Sequence, residues 1–600
     1  GKMVSKVKKI NDIVIEVATE NGSGSQSANN ILMRSIFYMG IPVSGKNLFP
    51  SNIQGLPTWF SIRVNEEGWV ARKDEVDIMV CMNEKSVVDD LKKLSVGDTL
   101  IIEDSLKSLI NRDDINIIIV PFEEMVKEIC PNARLRRMVV NLLYVGVIAH
   151  FIGIDEKTIV QAIQKQFSKK PEAAKLNTDA VKFGLEWAVK NIKPSELYQL
   201  NTVNKTAGKM LVEGNEAVAL GLFYGGANVV AWYPITPSSS TMESLIRYLK
   251  KYKKSADGKN EFCVVQAEDE LAAFGVVTGA SWAGARGVTA TSGPGTSLMA
   301  EGAGLAYFAE IPAVIVDVQR MGPSTGLPTR TNQGDILACY YLSHGDTKHV
   351  LLIPGTPEEC YEFGFEVMNL AQELQTVIFL MSDLDLGMNN WMCDPFKPIT
   401  KEISKGKLLS KEQLEASKGF KRYADVDGDG IPYRTLPGVE SDYAAYFTRG
   451  TGHREDATYT ESSVDWLKNI DRLKRKHDTA RKMVPESIFI STGKQRRAIV
   501  AYGSSDPAVM EALFILSKTH GLEFDYMRIR ALPTTEKTNE FIKNHEVVYF
   551  VEQNRDGQMI AIIRSEKPEE ALKIKPILHY DGMSISASAI VKQILKAEGR

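Results

Sequence analysis

The segment Tyr233-Pro-Ile-Thr-Pro-Ser-Ser-Ser-Thr241 constrains this chain more than any other. It follows an apolar run, Val229-Val-Ala-Trp232, that reads as a short buried strand. It precedes Met242 to Tyr252, which reads as a helix. Two prolines bracket Thr236 and hold the turn extended. Ser238, Ser239 and Ser240 offer hydroxyls and N–H groups near the helix start. A strand end feeding a helix N-terminus is where α/β sheets take anionic ligands, so the turn suits a small carboxylate or phosphate. It equally suits a rigid turn with ordinary serine caps.

The alternation continues on both sides. Phe262-Cys-Val-Val-Gln266, Gly287-Val-Thr-Ala-Thr291, Ala313-Val-Ile-Val-Asp317 and Thr376-Val-Ile-Phe-Leu380 read as strands with helical stretches between them. This predicts a doubly wound, mostly parallel sheet over residues 207–388. Residues 1–200 form an earlier α/β segment: a strand at Ile10 to Val17, the small-residue loop Asn21-Gly-Ser-Gly-Ser-Gln-Ser27, and a helix from Ala28 to Gly40. Asp77 to Cys81 and Ile115 to Val120 read as further buried parallel strands. Residues 389–496 are irregular and read as a connecting arm, partly wrapping a neighbour. Residues 497–600 return to strand and helix, with Ala498 to Tyr502, Ala508 to His520 and Glu546 to Glu552.

Composition narrows the function classes. A net charge of −3 gives no electrostatic case for nucleic acid or membrane binding. No apolar run reaches the roughly 20 residues that span a bilayer. The basic start, Gly1 to Lys9, reads as a short leader into the first strand. The six cysteines, Cys81, Cys130, Cys263, Cys339, Cys360 and Cys393, are scattered. No C-x-x-C pair exists among them, so a cluster or zinc site is not expected, and a reducing cytoplasm is.

Two near-motifs are rejected. Gly40-Ile-Pro-Val-Ser-Gly-Lys-Asn47 has Asn47 where a P-loop needs a hydroxyl, and it follows a helix rather than a strand. Asp425-Val-Asp427-Gly-Asp429-Gly430 begins like an EF-hand, but its twelfth position is Leu436 rather than glutamate. A weaker cation site in that loop stays open. Gly428-Asp-Gly430 also imitates a thiamine diphosphate–magnesium motif without the preceding apolar strand.

The acidic stretch Gln266-Ala-Glu268-Asp269-Glu270, ending a strand before a small-residue helix, is a candidate catalytic element. Three acids also simply favour a helix N-terminus. Thr291-Ser-Gly293-Pro-Gly295-Thr-Ser297 allows close backbone approach to a ligand or serves as a glycine-rich helix entry. Arg320 stands past the next strand, where a guanidinium can clamp a carboxylate, and Arg330 is a second cation on the following loop.

The turn resembles the YPITPSS signature of the 2-oxoacid:ferredoxin oxidoreductases, which are thiamine-diphosphate enzymes. The resemblance implies a pyrimidine-binding domain over 207–388, a transketolase C-terminal-like domain over 497–600 through Glu552-Gln-Asn-Arg-Asp-Gly-Gln-Met559, and a gamma-type domain over 1–200. The serine-rich loop 21–27 and Asn52-Ile-Gln-Gly-Leu-Pro-Thr58 belong to the last, with serines at two positions that are glycine in the family. It implies that Thr236 and Arg320 hold the 2-oxoacid carboxylate, that Glu270 activates the cofactor with Gly275 and Gly279 at the family spacing, and that Gly293 and Gly295 lie by the cofactor. Glu268 is the competitor for Glu270. Arg330 would serve a second substrate carboxylate, favouring 2-oxoglutarate over pyruvate. The missing cluster and diphosphate motifs place the iron–sulfur cluster, the Mg2+ and the diphosphate site on a beta subunit. CoA and ferredoxin are the other implied reactants, and a dimer of alpha–beta heterodimers is the implied assembly. A transketolase, an indolepyruvate oxidoreductase and a non-catalytic assembly subunit are the alternatives.

Overall fold

The computed structural model describes residues 7–50 and 55–600. Gly1–Lys6 of the leader and Asn52–Gln54 lie outside the described residues. The chain forms two compact units. The first extends to Leu211 and takes in Asn389–Pro395 and Ser586–Ser588; the second comprises Val212–Met388, Phe396–Ile585 and Ala589–Arg600.

In the first unit, strand Asp12–Glu20 pairs in parallel with Ile78–Cys81, which continues in parallel to Thr99–Glu103 and Asn116–Val120. On its other side it pairs antiparallel with Pro57–Asn65, followed by Val43–Leu48. Gly45 and Lys46 of the rejected P-loop therefore sit in a strand, where a Cβ on Gly45 would meet Phe60 Cζ at 2.6 Å. Asn116–Val120 is a half-exposed edge strand rather than a buried one; Ile117 and Ile119 are 38% and 40% exposed. Helix Ala133–Ile152, with mean hydropathy 1.5, is the one described helix long and apolar enough to cross a membrane, and 67% of that stretch is buried in the fold. The run of apolar residues escaped notice because arginines open the helix. It packs on helix Pro171–Asn191 through reciprocal glycines. A Cβ on Gly146 would lie 2.2 Å from Val181 O, and one on Gly184 2.4 Å from Leu143 O.

The second unit holds two sheets. The larger runs in the order Cys263–Gln266, Val229–Trp232, Gly287–Thr291, Ala313–Gln319, Val377–Asp383, Val350–Leu352, Ala531–Leu532. All neighbours pair in parallel except the last, an antiparallel edge contributed from the C-terminal region. Aliphatic side chains fill these strands, and one apolar core extends from Ala231 to Ile574. The second sheet orders Ile488–Ile490, Asp525–Ile529, Arg497–Tyr502, Val547–Glu552 and Ile574–Leu578.

The stretch read as irregular contains an 18-residue helix, Ser463–Ala480. Its buried face carries Arg472, Lys476 and His477. Arg472 binds Glu310 bidentately at 2.8 and 2.7 Å, and Lys476 Nζ joins at 2.9 Å, all nearly sealed from solvent. Burial is offset by two cations, so Glu310 stays well below the usual carboxylate range, while burial brings Lys476 down to about 8.

Candidate functional site

The strand order sets the site. Val229–Trp232 is flanked by Cys263–Gln266 on one side and Gly287–Thr291 on the other, so consecutive crossovers leave in opposite directions. Open α/β sheets bind ligands at that switch point, outside the carboxyl ends of the strands. The loops emerging there are the Tyr233–Pro237 turn and the Ser292–Gly295 entry to helix Gly293–Leu298.

The serines tie the turn to itself rather than offering it to a ligand. Ser239 Oγ accepts from Ile235 N at 3.1 Å, and Ser238 Oγ donates to Ile235 O at 3.0 Å. Ser240 Oγ accepts from Asn215 Nδ2 at 2.8 Å, and the same amide donates to Pro237 O at 2.9 Å. Thr236 remains half-buried. Arg320 reaches across from the end of strand Ala313–Gln319 and donates through Nη1 to Thr236 O at 2.9 Å. The turn and the arginine, 84 residues apart in sequence, meet directly.

Glu270 begins helix Glu270–Trp282, whose N-cap is Asp269, with its carboxylate accepting from Ala272 N at 2.8 Å. Glu270 is 8% exposed, whereas Glu268 is exposed in the preceding loop. Gly295 fits tightly: a Cβ there would stand 1.8 Å from Thr291 Oγ1 and 2.9 Å from Glu270 Cγ. Gly293 touches the other side of the site, where a Cβ would stand 2.7 Å from Asp335 Oδ1. Arg320 thus meets Thr236, Gly295 packs by Glu270, and Gly293 packs by Asp335. Arg330 lies on the loop after Arg320 and donates to Thr329 O and Oγ1, both at 3.0 Å. Its backbone closes a small loop through Met321 N to Arg330 O at 2.9 Å. Gly275 and Gly279 pack on nothing in the chain; a Cβ at either meets no atom within 4 Å.

The sequence reading passed over a carboxyl pair beside Arg320. Asp317 is fully buried. Asp335 holds its place by donating its N–H to Gln319 Oε1 at 3.0 Å. Burial and the neighbouring Asp335 raise Asp317 well above the usual carboxylate range. Burial raises Asp335 too, opposed by Asp317 and by the Arg320 charge. Asp317 Oδ1 and Asp335 Oδ2 are buried without a hydrogen-bond partner among the described residues. The signal was visible: Asp317 interrupts an otherwise apolar strand.

The acidic loop at 425–430 holds an ammonium. Lys407 Nζ lies 2.8 Å from Asp427 Oδ2 and 2.9 Å from Asp429 Oδ2 and donates to Ile431 O at 3.0 Å. Five of the six cysteines are buried and Cys263 is exposed. Among the described residues, no group of three His, Cys, Asp or Glu side chains is arranged to hold a metal ion.

Residues 221–425 match the family described as pyruvate flavodoxin/ferredoxin oxidoreductase, thiamine diphosphate-binding, and residues 14–187 match pyruvate ferredoxin/flavodoxin oxidoreductase. Fold and site together define an α/β oxidoreductase subunit with a thiamine-diphosphate-binding type of domain. A 2-oxoglutarate synthase subunit KorA of Methanothermobacter thermautotrophicus is 32% identical over 54% of this chain and 82% of its own length. An alpha subunit of 2-oxoacid:ferredoxin oxidoreductase 2 from Aeropyrum pernix is 29% identical over 98% of both chains. The structure of a 2-oxoglutarate:ferredoxin oxidoreductase from Magnetococcus marinus, with 2-oxoglutarate, coenzyme A and succinyl-CoA bound, superposes with a TM-score of 0.86 at 26% identity over 98% of this chain and 99% of that one. The chain belongs to the 2-oxoacid:ferredoxin oxidoreductase family, among its alpha subunits.

Proposed function

We propose that this chain is the alpha subunit of a CoA-dependent enzyme that reversibly converts 2-oxoglutarate, CoA and oxidised ferredoxin to succinyl-CoA, CO2 and reduced ferredoxin. The observation that carries the reading is the Arg320–Thr236 contact at the switch point, which sets a cation against the turn where a carboxylate would dock. The named relatives from Methanothermobacter and Magnetococcus support the choice of substrate.

Thr236 and Arg320 hold the carboxylate next to the keto group. Arg330 is the second cation, matched to the far carboxylate of a dicarboxylic acid. Burial lowers both guanidinium pKa values, opposed at Arg320 by the nearby Asp335. The Asp317–Asp335 pair lies beside Arg320, and burial raises both carboxyls above the usual carboxylate range.

The residues also fit the pyrimidine end of thiamine diphosphate. Ser292 Oγ and Arg320 Nε are buried without partners among the described residues, and the absence of a Cβ at Gly295 lets Glu270 Cγ pack close to the glycine loop. Bound thiamine diphosphate supplies the carbon nucleophile and electron sink that cleavage beside a ketone requires. Glu270 would hold a proton at the aminopyrimidine nitrogen, and Gly293 and Gly295 would let the cofactor approach the backbone. The diphosphate, its Mg2+ and an iron–sulfur cluster belong in this reading to a beta subunit, in a dimer of alpha–beta heterodimers that passes electrons to ferredoxin in the cytoplasm. The domain assignment follows: gamma-type to 200, pyrimidine-binding 207–388, arm 389–496 and transketolase C-terminal-like from 497. CoA has a candidate contact in the first unit, a cavity of about 330 Å³ lined by Ser23, Lys127, Arg136 and Arg137 beside the serine-rich loop.

The chain purified with its co-eluting partner should reduce viologen in a CoA-dependent manner, with 2-oxoglutarate preferred to pyruvate. Preference for pyruvate would remove the role of Arg330. No reduction with any 2-oxoacid, from a preparation loaded with thiamine diphosphate and an intact cluster, would overturn the reading.

A further inference from the structure

The loop from Arg320 to Asp335 carries both substrate arginines, and its internal backbone bonds, Met321 N to Arg330 O, Leu327 N to Met321 O and Arg330 N to Leu327 O, tie only the stretch 321–330. Met321 to Leu327 are mostly exposed, and regular structure resumes only at helix Ile336–Tyr340. What fixes its far end is the segment Glu552-Gln553-Asn554, about 220 residues later. Gln333 N donates to Gln553 O at 2.8 Å. Gln553 N returns a bond to Gln333 Oε1 at 3.0 Å. Asn554 Nδ2 donates to Gln333 O at 2.9 Å, and Gln333 Nε2 donates to Tyr502 O at 3.0 Å. One step further, Gln558 Nε2 donates to Gly334 O at 2.8 Å and its Oε1 accepts from Leu337 N at 3.1 Å. Thr331 N donates to Gly582 O at 3.1 Å.

The clamp is itself braced. Gln333, Gln553 and Asn554 are at most 3% exposed. Glu552, fully buried, accepts from Tyr502 Oη at 2.6 Å, Asn554 Nδ2 at 3.1 Å, Met559 N at 2.8 Å and Ile560 N at 3.0 Å. Gln553 Nε2 donates to Ser504 Oγ at 3.1 Å, and that hydroxyl donates to Asp383 Oδ2 at 2.5 Å. Asp383 ends the strand beside Ala313–Gln319, so the chain of bonds closes on the sheet that bears Arg320. Most polar groups in this buried amide network are paired, Gln553 Oε1 excepted, so any shift strands further polar groups away from water.

We propose that Gln333, Asn554 and Gln558 are positioning residues that set the substrate loop from the C-terminal domain, so that Arg320 and Arg330 are held in place before the 2-oxoacid arrives. The inference rests on the substrate role given above to that loop. None of the three touches the proposed substrate site; they act through the loop's main chain.

The test uses the assembled complex with its partner subunit. Gln333→Ala and Asn554→Ala each remove one or two bonds to the loop, so each should raise KM for the 2-oxoacid about tenfold, the size expected from net hydrogen-bond contributions. KM for CoA should stay unchanged. Trypsin should cut the folded variants faster after Arg330. Val548→Ala, which loosens the same C-terminal sheet away from the loop, should do neither. Gln558→Ala removes two bonds from a half-buried side chain and serves if the buried variants do not fold. If Arg320→Ala raises KM while Gln333→Ala, Asn554→Ala and Gln558→Ala do not, the clamp inference falls and the substrate reading stands. If Arg320→Ala also leaves KM unchanged, the substrate reading falls with it.

Discussion

Replacing Gly295 by alanine should disable the enzyme without unfolding it. The added Cβ would start 1.8 Å from Thr291 Oγ1 and 2.9 Å from Glu270 Cγ. Carbon atoms in contact need about 3.5–4.0 Å, so Glu270 Cγ has to retreat by roughly 0.6–1.1 Å. Thr291 Oγ1 is overlapped still more deeply, so rotating one side chain alone does not free the space. The backbone is no obstacle, because Gly295 is not among the residues with positive φ. Overpacking of this kind costs about 1–3 kcal/mol of stability, which a large chain tolerates. A displacement of about 1 Å in a catalytic group costs on the order of a hundredfold in rate, or about 2.7 kcal/mol of barrier. The assay is kcat for CoA-dependent viologen reduction by the complex, with thermal unfolding run in parallel. Gly279→Ala is the internal control for the chain's own packing: its Cβ meets nothing, and an isolated chain should gain about 0.5–1 kcal/mol in stability. A Gly295→Ala complex that folds and keeps kcat within twofold would refute the argument that the Gly295 contact fixes a catalytic Glu270.

Glu270→Gln should abolish turnover while leaving assembly intact, and near-normal activity in the same assay would transfer the role to Glu268. Glu310→Gln would strand two buried cations and should cost about 3–5 kcal/mol in denaturant unfolding, with Lys476→Met on top recovering part of the loss; a change below 1 kcal/mol would mean the ion triad is not what anchors the arm. Acid should destabilise the second unit. Burial lowers His349 to about 4 and His477 to about 3, against an unfolded value near 6.5, so their contribution is complete above that value and is lost progressively as pH falls from it toward the folded values. Between pH 7 and pH 5 the two together should remove about 4 kcal/mol of unfolding free energy; urea curves that coincide at both pH values would contradict this. Lys407→Met should turn the Asp427–Asp429 loop into a weak calcium site, seen as terbium luminescence missing from the parent chain; silence in both would show that the ammonium is not what fills it.

The parts of this fold that could be read from sequence are those encoded locally. Val229–Trp232, its proline-bracketed turn and the helix after it are contiguous, and so are Gly287–Thr291 and its glycine loop. From these followed the sheet and the loops at the carboxyl ends of its strands. The helix Ser463–Ala480 escaped because its inward stripe mixes Asn469, Arg472, Lys476 and His477 with Leu473 and Ala480; the Arg472 and Lys476 charges are buried against Glu310, 162 residues earlier for Arg472. A search for apolar periodicity cannot find such a face. The three-residue strand Val350–Leu352 is too short to register. The Asp317–Asp335 pair, the Lys407 ammonium and the Gln333 clamp are each made by residues that only the tertiary structure brings together. The glycines at 275 and 279 matched a family spacing, but the chain's own packing gives them no reason to be glycine.

The clamp also sets an order of events during synthesis. Until Gln553 has been made, 220 residues later, Gln333 has only Tyr502 O as a partner from the C-terminal region. At roughly 5–20 residues per second, that is an interval on the order of 10–40 s in which the pyrimidine-binding sheet can already form. The edge strand Ala531–Leu532 arrives in the same late stretch and covers the open side of that sheet. The nascent chain therefore holds its arginine loop unset until its last tenth emerges. A ribosome that stops short of Gln553 would release a protein with a folded sheet and no finished substrate site.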